Sequence, residues 1–77
     1  MPVTAYIMIK ANTGEADRLR DNVEAIDGVV SAYIVAGDVD IIAKVTVETP
    51  GEVKDIAATQ IQGIRGVEDT QTYIAMD

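Results

Sequence analysis

The residues of this chain best suited to chemistry are Asp38 and Asp40, two carboxylates one residue apart in Gly37-Asp38-Val39-Asp40. A carboxylate pair of this kind can meet an ammonium group or a hard cation. Gly37 beside it brings backbone N–H groups within reach of a ligand, and glycine is free to take a positive φ in a tight turn. A turn offering donors and acceptors side by side suits something small and zwitterionic. A second acidic pair, Glu68 and Asp69, lies near the end of the chain. Neither pair has the ligand count of a calcium or magnesium cage, so solvated charge is the expected state of both. There is no histidine and no cysteine, which removes the commonest general base, the commonest metal ligand and any disulfide. Ser31 is the only serine and has no base to activate it. No catalytic set can be assembled, and a binding role is expected rather than an enzymatic one.

The elements that must hold this turn follow from periodicity. Val3 to Lys10 alternate as a strand. Asn12 or Thr13 is expected to cap a helix, with Glu15 completing a capping box on Asn12. Ala16, Leu19, Val23 and Ile26 then form its apolar face, Asp17, Arg18, Asp21 and Glu24 its wet face, and Gly28 its end. A second strand covers about Val29 to Ala36, and a third runs from the turn to about Glu48. Thr49-Pro50-Gly51-Glu52 is a strong helix start, with Thr as cap, Pro at the first position and Glu three after the cap. Val53, Ile56, Ala57, Ile61 and Ile64 point inward on that helix, Gly63 or Gly66 closes it, and Val67 to Met76 form the last strand. The exits Ile26-Asp27-Gly28-Val29 and Ile64-Arg65-Gly66-Val67 echo each other. The order is βαββαβ with two related halves, which predicts an α+β, ferredoxin-like fold: a four-stranded antiparallel sheet with both helices on one face.

Two helices cover one face only, yet the strands are apolar on both. Tyr6, Met8, Tyr33, Val35 and Ile42 would form a contiguous patch on the uncovered face, too large for a quiet monomer. Dimerisation through the sheet is expected. The parity of the last strand is open, because Asp69, Gln71, Tyr73 and Ala75 alternate no better than Thr70, Thr72, Ile74 and Met76.

At 77 residues the chain makes one domain with a thin stability margin, and small domains without staples commonly gain stability by oligomerising. Thirteen acidic against six basic residues give a net charge of −7, which repels phosphate backbones and disfavours direct nucleic-acid binding. The same acidity fits a salt-loving host. No apolar run reaches the roughly 18 residues a spanning helix needs, and Met-Pro-Val-Thr is no signal peptide, so a cytoplasmic, non-membrane protein is expected.

The stretches Tyr33-Ile34-Val35-Ala36-Gly37-Asp38-Val39-Asp40-Ile41-Ile42-Ala43-Lys44-Val45 and Gly66-Val67-Glu68-Asp69-Thr70-Gln71-Thr72-Tyr73-Ile74-Ala75-Met76 resemble the effector domain of Lrp/AsnC transcription regulators, the RAM domain. The resemblance covers nearly the whole chain and implies a single domain over residues 1–77. It implies a ferredoxin-like fold that dimerises through its sheets. It also implies dimers assembled into octamer-like rings and amino acids bound between dimers, without a cofactor. The ligand-binding residues it implies are Gly37, Asp38, Val39 and Asp40, with Thr70, Thr72, Tyr33 and Tyr73 nearby. In this scheme backbone N–H groups around Gly37 receive a carboxylate, Asp38 or Asp40 pairs an ammonium, and the threonines read the side chain. Family regulators carry an N-terminal winged helix-turn-helix, whereas Met1 here lies about two residues before the first strand. The resemblance therefore implies a stand-alone or excised effector domain, with full-length regulators among its partners. Val39 stands where many relatives have an aromatic ring, which would reshape the pocket.

Two other readings stand beside this one, the first structural and the second within the binding class. One is a constitutive oligomerisation module whose pocket has lost its ligand. The other is an ACT-like amino-acid-binding domain, whose ligand loop after the first strand would be Lys10-Ala11-Asn12-Thr13-Gly14.

Overall fold

The computed structural model describes residues 2–12 and 14–77. Its elements run β1 (Val3–Ala11), α1 (Ala16–Glu24), β2 (Val29–Ile34), β3 (Ile41–Val47), α2 (Pro50–Lys54) continuing directly into a π-helical segment (Asp55–Ile61), and β4 (Val67–Ile74). The sheet has the order β2-β3-β1-β4, and each neighbouring pair is antiparallel. This is the expected ferredoxin-like plan, with the two halves interleaved so that β1 and β3 are central.

The core lies between the sheet and the helices. β1 contributes Ala5, Ile7 and Ile9, β3 contributes Ile41, Ala43 and Val45, α1 contributes Leu19 and Val23, and the second helix contributes Val53, Ile56, Ala57 and Ile61, all buried. No charged or polar side chain is buried among the described residues, so an apolar core of small and β-branched residues carries the stability.

The second helix begins as its sequence requires. The Thr49 hydroxyl accepts the Glu52 N–H at 3.3 Å, and the Glu52 carboxylate accepts the Thr49 N–H at 3.2 Å and the Glu48 N–H at 2.7 Å. Past Lys54 the helix widens to π winding, which brings Ile56 and Ile61, five residues apart, onto the buried side.

The first helix departs from expectation. It starts at Ala16, its cap residue is Glu15, and no side chain caps it. Asn12 is still in the chain leaving β1, where its N–H donates to the Gly66 carbonyl at 2.9 Å. Gly14, at φ +92, then turns the chain before α1 begins. The Glu15 carboxylate accepts from Arg18 Nε at 3.2 Å instead of closing a capping box. Thr13, the other expected cap, lies outside the described residues. The helix also ends earlier, at Glu24, and Gly28 serves the turn into β2. β2 stops at Ile34, two residues before the expected Ala36, and β4 stops at Ile74.

The repeated exits are structurally equivalent. Val29 N–H bonds the Ile26 carbonyl and Val67 N–H bonds the Ile64 carbonyl, at 3.1 and 3.2 Å. Gly28 and Gly66 both take positive φ, +100 and +106. Each glycine carbonyl accepts from the neighbouring chain, Gly28 from Thr46 N–H and Gly66 from Asn12 N–H. The next strand then slips by one residue in each half, at Val30 against β3 and at Glu68 against β1. The pseudo-twofold therefore extends to the bulges.

Register fixes the parity of β4. Thr70, Thr72 and Ile74 lie opposite Ile9, Ile7 and Ala5 and so share the helix-covered face. Asp69, Gln71 and Tyr73 share the open face with Lys10, Met8 and Tyr6. On that open face Tyr33, Ile42 and Met8 form one cross-strand row, and Lys44, Tyr6 and Tyr73 another. Val35 lies beyond the end of β2 and is half-buried, while Tyr73 extends the patch that sequence parity leaves undecided. Tyr33 and Tyr73 are 65% and 57% exposed, so the face is apolar and uncovered in the monomer.

Candidate functional site

The β2–β3 connection is held at its base and left open at its tip. Val35 N–H donates to the Asp40 carbonyl at 2.9 Å, and Asp40 N–H donates to the Ile9 carbonyl at 2.9 Å. The Asp40 carboxylate accepts the N–H of Ala11 at 2.9 Å, joining the turn to the last residue of β1. Gly37 and Asp38, between these anchors, are exposed. Among the described residues, the N–H groups of Ala36, Gly37, Asp38 and Val39 have no protein acceptor, and the Asp38 carboxylate has no hydrogen-bond or ion-pair partner. Gly37 does not use the left-handed region, and a Cβ there would meet nothing within 4 Å. The turn itself therefore does not require glycine at this position.

Two concavities border the tip. One, of about 280 Å³, is lined by Asp38, Val39, Met8, Lys10, Thr70 and Gln71, together with Asp69. The other, of about 560 Å³, is lined by Gly37, Asp38, Asp40, Lys10, Asn12 and Glu68, together with Ala11. The bulge at Glu68 lies here, where the extra residue turns β4 away from its regular pleat.

The structure thus brings Gly37, Asp38, Val39, Asp40 and Thr70 to one end of the sheet, and separates the others. Thr72 lines a groove of about 410 Å³ between β4 and the second helix, with Val53, Ala57 and Ile74. Thr70 borders this groove as well, and its hydroxyl accepts from Gln62 Nε2 at 2.8 Å. Tyr33 and Tyr73 stand on the open face in β2 and β4, with β3 and β1 between them. Those two tyrosines belong to the uncovered sheet and not to the turn concavities.

Lys10 lines both concavities; in the sequence it falls within the rival ligand loop Lys10–Gly14 and outside the residues assigned to the β2–β3 turn site. The signal is present in the alternation of β1, which places Lys10 on the same face as Tyr6 and Met8. The topology then sets β1 between the turn's own strand and β4. The loop after β1 and the β2–β3 turn, rival ligand loops in the sequence, meet at this end through Ala11 and Asp40. Among the described residues no group of three or more acidic, histidine or cysteine side chains is disposed to hold a metal ion, and no helix is long and apolar enough to cross a membrane.

The chain is similar to regulators over part of their length. It is 32% identical over 77 residues to an uncharacterised helix-turn-helix transcriptional regulator of Pyrococcus abyssi, covering 96% of this chain and 51% of that one. It is 32% identical over 69 residues to the regulatory protein AsnC of Haemophilus influenzae, covering 90% of this chain and 46% of that one. The chain spans about half the length of these curated relatives. Among solved structures, a Thermus thermophilus protein superposes with a TM-score of 0.93 at 27% identity, covering 97% of this chain and 94% of that one. A transcriptional regulator of Neisseria meningitidis, solved as a complex with L-Met, shares the fold with a TM-score of 0.83 at 16% identity, covering 97% of this chain and 50% of that one. The model of the Lrp/AsnC ligand binding domain matches residues 4–77. With that match and the shared fold in agreement, the chain belongs to the Lrp/AsnC ligand binding domain family.

Proposed function

We propose that residues 1–77 form a single effector domain that binds an amino acid at the β2–β3 turn and signals through its state of assembly. The observation that carries this reading is the tip of the turn, where the N–H groups of residues 36–39 and the carboxylate of Asp38, none with a partner among the described residues, stand side by side. N–H groups of this kind suit a ligand carboxylate, and Asp38 suits its ammonium. The regulatory family supports a binding role without catalysis, and the L-Met complex of the Neisseria fold relative supports amino acids as the ligand class.

In this reading the open face carrying Tyr6, Met8, Tyr33, Ile42 and Tyr73 seats a second copy, and dimers join into a larger ring, octamer-like in the resemblance, that also admits full-length regulators. A ligand shifts such an assembly only by its difference in affinity between the two states. The domain works in the cytoplasm and makes no nucleic-acid contact of its own. A thermal-shift screen of the purified protein against each of the twenty L-amino acids, paired with light scattering, tests the reading. A selective rise in Tm with a change in mass supports it. A mass and Tm indifferent to all twenty leave a constitutive oligomerisation module.

A further inference from the structure

We propose that Lys10 is the cationic anchor for the carboxylate of the bound amino acid, so that the site takes neutral or cationic α-amino acids and rejects acidic ones. This rests on the amino-acid-binding reading above and adds to it a residue and a ligand class. Lys10 is exposed and lines both concavities at the turn, as Asp38 does. Among the described residues it is the only cation there, beside Asp38, Asp40, Glu68 and Asp69. Asp69 is its direct partner across β1 and β4. Even so, among the described residues the Lys10 ammonium makes no ion pair, so its charge is available to a ligand.

The carboxylates divide their work. Asp40 accepts the Ala11 N–H through one oxygen and acts as a positioning residue, while Asp38, without a partner among the described residues, faces the ligand ammonium. A ligand carboxylate entering this acidic surround meets one full positive charge, that of Lys10, assisted by the N–H groups of the turn. A second carboxylate on the ligand side chain would find no cation of its own and would be repelled.

The test uses the whole chain and the twenty L-amino acids, followed by calorimetry with the strongest binder and with its α-carboxamide, which lacks the carboxylate charge. Lys10→Gln is expected to weaken the amino acid roughly tenfold to a hundredfold, the range for a hydrogen bond to a charged group, and to bind acid and carboxamide alike. Lys10→Arg is expected to restore both affinity and preference for the acid. Arg20→Gln, the same charge change on α1, is expected to leave binding unchanged. Wild-type affinity in Lys10→Gln, equal losses in Lys10→Gln and Arg20→Gln, or a retained preference for the acid would each overturn the assignment. Wild-type protein silent to all twenty amino acids would instead overturn the amino-acid-binding reading on which it rests.

Discussion

The Asp40 carboxylate accepts the Ala11 N–H at 2.9 Å, across 29 residues of chain. Together with the bond from Asp40 N–H to the Ile9 carbonyl, it fastens the turn to the end of β1 from two sides. The turn can then present Asp38 and its N–H groups in one place without glycine-specific backbone geometry.

Asp40→Ala is expected to cost about 1–3 kcal/mol, because it leaves the N–H of a buried residue without an acceptor. Asp40→Asn keeps an acceptor oxygen and should cost less than half as much. Urea denaturation of the two variants measures this. Equal losses would mean that the charge, and not the acceptor, holds the turn.

Gly28→Ala should be among the most damaging small substitutions in the chain. Gly28 sits at φ +100, and a Cβ there would lie 2.9 Å from both Ile56 Cδ1 and Val47 Cγ1. A loss of about 2 kcal/mol or more is expected. Gly37→Ala should be neutral or raise stability by up to about 1 kcal/mol, since it meets open space without the left-handed strain. Thermal unfolding of the pair checks the contrast.

Thr49→Ala removes the hydroxyl half of the capping box and should lower stability by about 1 kcal/mol. Thr49→Ser should recover most of it. Amide exchange at Glu52 locates the effect, and unchanged protection there would show that the cap is idle.

Ile42 lies at the middle of the open face, between Tyr33 and Met8 in one cross-strand row. Ile42→Glu places a charge where a second copy would pack. It should yield monomers with an unchanged far-ultraviolet circular dichroism spectrum. Light scattering that still finds the wild-type mass would move the interface to another surface.

Much of this architecture was legible in local chemistry. Thr49-Pro50-Gly51-Glu52 specifies its own cap, and the alternation of Ala5, Ile7 and Ile9 against Tyr6 and Met8 specifies a strand with two apolar faces. The face of β4 was illegible, because threonine and glutamine alternate without hydrophobic contrast; only the pairing of Ile9 with Thr70 and Ile7 with Thr72 decides it. The start of α1 misled because Asn12 has the right side chain for a cap, while its backbone is held by Gly66. The π winding after Lys54 leaves no mark in an apolar pattern that an α-helix also accommodates. In the candidate site, the Gly37–Asp40 motif was visible, whereas the difference between Asp40, bonded to Ala11, and Asp38, without a partner among the described residues, depends on a contact 29 residues away.

The most direct measurement is calorimetry of wild-type protein and Asp38→Asn with the amino acid that gives the largest thermal shift. Saturable binding by the wild type, weakened at least about tenfold in Asp38→Asn with Tm unchanged, is the expected result for a lost charge-assisted contact. Equal affinity in the two proteins would contradict the assignment of the turn as the amino-acid site.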